Sequence, residues 1–344
     1  MKKKFSIIIL LSIMALLILD NKTVLLGASS GIRMCIDTVI PVLFPFLVIS
    51  TLLTSAVSNM KLPILSRIGR FMHLPAGSEI LWLIGLLGGY PAGAQCISLA
   101  VDHGNFAASD GKRLLGICNN AGPAFIFGLG MHILSDLRLC LLVWLIHILS
   151  SVIVGILVPG VSHSDDLNFR NTQISVALAV KKAVSSISVI CGWVLLFQIL
   201  MELLKKWILW IFPLEAQIFL CGFLELTNGC VKLQTLPSMA MRFVFFSTFL
   251  SFGGLCVTMQ TFAVSNVSNR LYLPEKLLQT LISVLISSVF SFFLFQDLPS
   301  DTMLITTMCA ISIVSVVILI KKKFKKSVEF NQRILYNDVK IHMR

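Results

Sequence analysis

Charged side chains are scarce in this sequence, at 13 % of its 344 residues, whereas soluble globular chains carry about 25 %. Hydrophobic residues make up 56 %, and the mean hydropathy is +0.91. So few charges cannot cover the surface of a soluble protein of this length, and lipid must cover much of it. The composition therefore excludes soluble globular, disordered, collagenous and coiled-coil chains and predicts an all-α polytopic membrane protein.

Motifs of metal sites and of common enzymes are also missing. The nine cysteines form no CxxC pair, the histidines form no HExxH pair, and no GxSxG occurs. LLGASSG at 25–31 resembles the start of a dinucleotide loop, but Arg33 stands where a further glycine is needed. Tyr272 and Lys276 have YxxxK spacing, but we expect Pro274 to place them in a connection. We therefore predict no enzymatic activity, no metal site and no cofactor.

The formal net charge of +12 comes from basic residues that lie in short runs beside apolar segments. One run, 2–4, precedes the first apolar stretch, and another, 321–326, follows the last. Such runs set the orientation of membrane helices and contact anionic lipid headgroups. We therefore predict a multi-pass protein of the cell membrane with both termini cytoplasmic, and with lipids rather than nucleic acid as partners.

The apolar segments predict two similar halves. In chain order we expect an N-terminal membrane helix (1–34, apolar through Leu26), a first repeat (35–160), a cytoplasmic linker (161–182), a second repeat (183–300), a final span (301–320) and a basic cytoplasmic tail (321–344). Each repeat has a span, an interrupted hairpin, an interrupted span and a plain span, the last of which begins at 278 in the second repeat. If neither hairpin crosses the membrane, about eight full spans remain and the second repeat is inverted.

The interruptions consist of glycine, proline and polar residues inside apolar stretches. They lie at 88–94 in the hairpin 79–101, at 118–123 in the span 114–133, at 225–229 in the hairpin 207–231, and at 253–254 in the span 241–264. Broken backbone at membrane depth is tolerable only against protein or a water-filled cavity. Paired interruptions in two halves indicate an inverted-repeat transporter, so we expect the four breaks to converge near mid-membrane around re-entrant hairpins.

Three polar residues at these breaks are candidates for a solute site. An ionised Glu225 in hydrocarbon would cost about 3 kcal/mol, so we expect it to face a cavity and mark a solute or ion path. The alternative is an interfacial helix from which Glu225 reaches the surface. Asn119 and Asn120 offer two amides at an unwound point, and the alternative there is an interhelical pair that holds the bundle together.

Four motifs in this order resemble those of the nucleoside-recognition, or Gate, domain family of membrane proteins. They are GLLGGYPAGAQ (85–95), CNNAGPAFIFG (118–128), GFLELTNGC (222–230) and SFGGLCVTMQ (251–260). With the spans between them they cover about residues 35–300, and the branch they resemble most is that of the sporulation integral membrane protein YlbJ. The run Leu255–Thr258 is less polar than that branch leads one to expect, so the resemblance does not fix the substrate.

The resemblance implies two Gate repeats related to the transport core of concentrative nucleoside transporters and to the gate of ferrous-iron transporters. In that core, hairpin tips and unwound helices form the ligand site. The substrate-binding role carries over to eight positions at the tips and breaks: Gly89, Pro91, Gly93, Asn119, Asn120, Glu225, Asn228 and Gln260.

Two functions follow as hypotheses. The first is a transporter or permease-like protein for a small polar organic solute such as dipicolinate, which the YlbJ branch links to endospore formation, or a nucleoside. The alternative is a non-transporting membrane assembly or signalling component required for sporulation. The coupling ion, a proton or sodium, and assembly into a homo-oligomer are both left open.

Overall fold

The computed structural model describes residues 2–56, 63–158 and 174–295, and these ranges contain helices and no β-strand. The α-helices, numbered in chain order, are α1 (Lys2–Leu19), α2 (Asn21–Met34), α3 (Ile40–Ala56), α4 (Pro63–Phe71), α5 (Ser78–Gly88), α6 (Ala92–Asp102), α7 (Ala108–Cys118), α8 (Pro123–Leu134), α9 (Leu137–Leu157), α10 (Val176–Trp207), α11 (Leu214–Leu224), α12 (Leu226–Lys232), α13 (Met239–Phe252), α14 (Gly254–Val264) and α15 (Tyr272–Leu294). The predicted final span and basic tail, and the linker up to residue 173, lie outside the described residues.

Within the described ranges, six helical segments are long and apolar enough to cross a membrane. They are Asn21–Ser55, Ala108–Leu134, Leu137–Leu157, Val176–Trp207, Met239–Val264 and Tyr272–Leu294. Three shorter apolar helices, Ser6–Leu19, Ser78–Gly88 and Leu214–Leu224, do not reach that length. The predicted polytopic helical architecture is therefore confirmed, whereas the count of eight spans stays a prediction.

Two predicted boundaries near the starts of the halves are wrong. The first helix ends at Leu19 instead of extending through Leu26, and α2 continues through a π-helical turn, Cys35–Val39, into α3. Helix α10 begins at Val176, so the last seven residues of the predicted linker, 176–182, are helical. Ser175 caps this helix by accepting a hydrogen bond from the backbone amide of Leu178, which explains why it begins there.

The start of α15 corrects a further expectation. This helix begins at Tyr272, six residues before the predicted position 278, so Tyr272 and Lys276 lie on a helix and not in a connection. Pro274 occupies its first turn, where backbone amides have no partner within the helix and proline is tolerated. Tyr272 and Lys276 are 0 % and 1 % exposed, so this end of α15 lies deep in the protein.

The order of elements recurs in the two halves. Apart from the short helix α4, which follows α3, the first half continues from α3 with the hairpin α5–α6, the broken pair α7–α8 and the plain helix α9. In the second half, α10 is followed by α11–α12, α13–α14 and α15. The halves share one core, because Tyr90 and Ala121 from the first pack with Phe243 and Phe246 from the second. The recurrence is an observation, and its inversion across a membrane stays a prediction.

The turn between α1 and α2 is tied to the end of α10 through Asp20. Its carboxylate accepts hydrogen bonds from Lys206 Nζ at 2.7 Å, Thr23 Oγ1 at 2.8 Å and Trp207 Nε1 at 2.8 Å. These donors, Lys206 first, lower the pKa of Asp20 from 3.8 to about 2. Asp20 therefore binds the first helical segment to the second half of the chain.

We expect Asp20→Asn to lower the melting temperature at pH 7, because a neutral amide loses the ion pair with Lys206. In the unmodified protein this stabilisation is present above the unfolded pKa of about 3.9 and is lost as the pH falls toward about 2. Thermal unfolding in detergent checks both points. Glu202→Gln, which removes a pair with Lys205 whose carboxylate is more exposed than that of Asp20, is the control and should have the smaller effect; equal effects would contradict the prediction.

Candidate functional site

The tip of the first hairpin touches both broken helices. Gly89 has a left-handed backbone, φ +75°, and a Cβ built there would lie 2.9 Å from the backbone nitrogen of Gly122 in the first break. Only glycine fits this approach without strain. The hydroxyl of Tyr90 donates to the carbonyl of Leu250, at 2.8 Å, just before the second break.

The tip of the second hairpin is built on Glu225. This residue ends α11 and is the N-cap of α12, where its carboxylate accepts hydrogen bonds from the backbone amides of Thr227, at 3.1 Å, and Asn228, at 2.7 Å. The side-chain amide of Asn228 adds a third donor at 2.9 Å. A Cβ built at Gly254, φ +82°, would lie 3.2 Å from the backbone nitrogen of Leu226, so the second break packs on this tip.

A cavity of about 110 Å³ lies where these tips and breaks meet. Among the predicted site residues, Gly89, Glu225 and Gln260 line it. Most of its other walls are apolar, including Phe46, Phe125 and Val257. A volume of this order holds a small ligand, since an engineered cavity of about 150 Å³ binds benzene. The cavity thus combines one acidic side chain with a mainly apolar wall.

The remaining predicted site residues, Pro91, Gly93, Asn119, Asn120 and Asn228, do not line this cavity. Gly93 packs against the end of α7, where a Cβ would lie 2.4 Å from the carbonyl oxygen of Cys118. Its small size therefore serves close helix packing.

Asn119 and Asn120 are fully buried and bond to protein groups that do not line the cavity. Asn119 Nδ2 donates to Thr261 Oγ1 at 2.8 Å and to the hydroxyl of Tyr272 at 3.1 Å. Asn120 Nδ2 donates to the carbonyl of Ile117 at 2.7 Å. The two bonds of Asn119 join the first break to α14 and α15, which corresponds to the interhelical alternative for this pair.

A buried polar face on α15 bonds to Asn120 and lies beside Asn119, and it was not predicted from the sequence. Gln279 Nε2 donates to Asn120 Oδ1 at 3.0 Å, and Lys276 Nζ donates to Gln279 Oε1 at 2.8 Å. Glu275 is 3 % exposed beside them. The signal was the helical spacing of Tyr272, Lys276 and Gln279, which continues upstream of 278 through Pro274.

His147 in α9 is another functional candidate that sequence reasoning passed over. The backbone amide of Ala121 donates to its Nε2 at 3.0 Å, which places the ring proton on Nδ1, so Nδ1–H donates to Ser251 Oγ at 3.3 Å. His147 therefore bridges the first break to the segment before the second. Its signal was a lone imidazole in an apolar span, with Ser150 and Ser151 one turn away.

Six membrane-length helical segments in the described residues, four of which line the cavity, define a polytopic α-helical membrane protein. The chain is similar to the sporulation integral membrane protein YlbJ of Bacillus subtilis strain 168, with 22 % identity over 296 residues that cover 72 % of each chain. No family model matches the chain, and no solved structure matches it. The similarity supports the YlbJ branch and membrane localisation, whereas the Gate domain and the orientation of the termini stay predictions.

Proposed function

We propose that this protein is a membrane transporter that binds a small organic solute in the cavity between its two hairpin tips. The observation that carries the proposal is the convergence of both tips and the first break on one cavity, with Glu225 in its wall and the second break packed on the second tip. Discontinuous helices that meet in this way are the usual binding-site construction of secondary transporters. The similarity to YlbJ extends the proposal to a role in sporulation.

The walls of the cavity favour a solute with hydrogen-bond donors on an apolar or aromatic body. Glu225 is the charged side chain among the described lining residues, and Thr38, Thr227 and Gln260 are polar. The first backbone amides of α12 have no partner within the helix, but they donate to the carboxylate of Glu225. They therefore do not offer a site to an anion. A nucleobase, or a nucleoside whose ribose extends out of the cavity, has the required donors and an aromatic body, whereas the two carboxylates of dipicolinate would repel Glu225.

The test is the binding of solutes to the purified full-length protein in detergent, measured as a shift of its melting temperature. We expect nucleosides to raise the melting temperature and dipicolinate to leave it unchanged. Glu225→Gln should weaken nucleoside binding about tenfold, because a hydrogen bond to a charged group is worth about 1.4 kcal/mol more than a neutral one. Glu215→Gln, an exposed site on α11 in the same hairpin, is the matched control and should bind as the unmodified protein does.

The proposal fails if reconstituted vesicles take up neither class of solute, or if Glu225→Gln binds like the control. In the first case the second candidate function, a non-transporting membrane component of sporulation, is favoured. Its supporting observation is that Asn119 and Asn120 bond to protein groups and do not line the cavity. Binding of dipicolinate in preference to nucleosides would refute the proposed class of solute but not the proposed transporter function.

A further inference from the structure

Within the described ranges, Glu275 lacks the side-chain or ionic partners that other buried carboxylates have. Glu225 accepts three hydrogen bonds, Asp20 accepts bonds from Lys206 and Trp207, and Glu79 accepts one from Ser66 at 2.8 Å. Glu275 is 3 % exposed, and neither of its carboxylate oxygens has a side-chain hydrogen-bond partner; the polar group against it is the backbone of Gly116. Its side chain packs against the backbone of Gly116 in α7.

The basic groups near Glu275 do not pair with it. Arg113 donates to four backbone carbonyl oxygens, and the ion pairs of the described ranges do not include Glu275. Lys276 is 1 % exposed, and its Nζ donates to Gln279 Oε1 at 2.8 Å and to Asn120 Oδ1 at 3.5 Å. Both acceptors of Lys276 are neutral amides, and the guanidinium of Arg113, which acts on Glu275 from α7, donates to backbone carbonyls, so neither Glu275 nor Lys276 has a direct ionic partner among the described residues.

Two buried ions without a direct partner are unfavourable, because each loses several kcal/mol of hydration. Proton transfer within the pair removes both charges. An N–H bond of the Lys276 ammonium breaks, an O–H bond forms on Glu275, and the total charge of the pair stays zero. The neutral amine then has two N–H groups, which match its two amide acceptors.

We propose that Glu275 and Lys276 form a proton-binding site, with Glu275 held as a neutral carboxylic acid and Lys276 taking up and releasing a further proton. The other titratable groups that face the pair are Arg113 and Cys118 from α7, His147 from α9 and Tyr272 one turn earlier on α15. His147 accepts the amide proton of Ala121 at Nε2, which fixes it as a neutral ring.

The proton site is joined to the cavity through the first break. Asn120 accepts from Lys276 and Gln279, and Gly122, two residues further along the chain, lines the cavity. Protonation of Lys276 adds a third N–H and a charge beside Asn120, which alters the bonds that hold this break. If the protein is a transporter, a statement that rests on the proposed function, this arrangement makes the proton its coupling ion.

Infrared spectroscopy of the full-length protein tests the site without any solute. We expect a carboxylic-acid C=O band at pH 7 that is lost in Glu275→Gln and retained in Glu225→Gln, whose carboxylate has three donors. Lys276→Met should retain the band. Lys276→Arg should lose it, because a guanidinium at this position, unlike that of Arg113, is not bound to backbone carbonyls and can pair directly with an ionised Glu275.

Absence of the band from the unmodified protein, or its survival in Glu275→Gln, would overturn the proposal. If Glu275→Gln does not fold, the unmodified protein can be labelled with ¹³C-glutamate, which must shift the band if a glutamic acid carries it. An unshifted band would refute the site. Retention of the band in folded Lys276→Arg would refute the exchange with Lys276. These results do not depend on transport, so failure of the proposed function is distinguished from failure of this site.

Discussion

Arg113→Met should lower the free energy of unfolding by about 3 kcal/mol, because it leaves several buried backbone carbonyls without donors. Arg113 Nε donates to Val158 O at 3.0 Å, Nη1 to His73 O at 2.7 Å, and Nη2 to Gly155 O at 2.8 Å and to Met72 O. These carbonyls lie at the ends of α4 and α9, so one guanidinium joins three helices.

Denaturant titration of the purified protein in mixed micelles measures this effect. Arg113→Lys should lose most of the same stability, because a single ammonium cannot reach four carbonyls in the fork geometry of a guanidinium. Arg70→Met, an exposed site on α4, is the control and should change stability by less than about 0.5 kcal/mol. An Arg113→Met variant as stable as that control would contradict the proposal that Arg113 holds α4, α7 and α9 together.

Gly85→Ala should be similarly damaging, with a loss of about 3 kcal/mol or failure to accumulate in the membrane. A Cβ built at Gly85 would lie 1.7 Å from the carbonyl oxygen of Cys118, so α5 and α7 would have to separate. The same separation would move the first hairpin away from the first break and open the cavity wall at Gly89 and Gly122.

Gly128→Ala is the matched control for this clash. Gly128 also lies in an apolar helix, α8, but a Cβ built there meets no atom within 4 Å. Alanine in a helix interior is favoured over glycine by about 1 kcal/mol, so this variant should be neutral or slightly more stable. Expression level and melting temperature in detergent compare the two variants, and equal behaviour would refute the close approach at Gly85.

Breaks in the helices were predictable from the sequence, whereas the contacts between side chains were not. Gly89 and Gly253–Gly254 occur inside apolar runs, a composition that favours a break, although Asn228 and Gly229 of the predicted interruption 225–229 lie within α12. Whether Asn119 faces the cavity or the helices behind it depends on how α14 and α15 pack, which no local pattern encodes. The position of Lys276 was missed because Pro274 suggested a connection, although proline in a first turn is compatible with a helix.

The long-range bonds of Asn119 and Asn120 constrain the order in which the two halves of the chain can complete their folding. Asn119 bonds to Thr261, 142 residues later, and Asn120 bonds to Gln279, 159 residues later. A chain that enters the membrane from its N-terminus therefore holds two amides without these partners until α14 and α15 have been synthesised. The first half is completed by the second, so synthesis that stops before α15 leaves a polar, unsatisfied break that quality-control proteases can recognise.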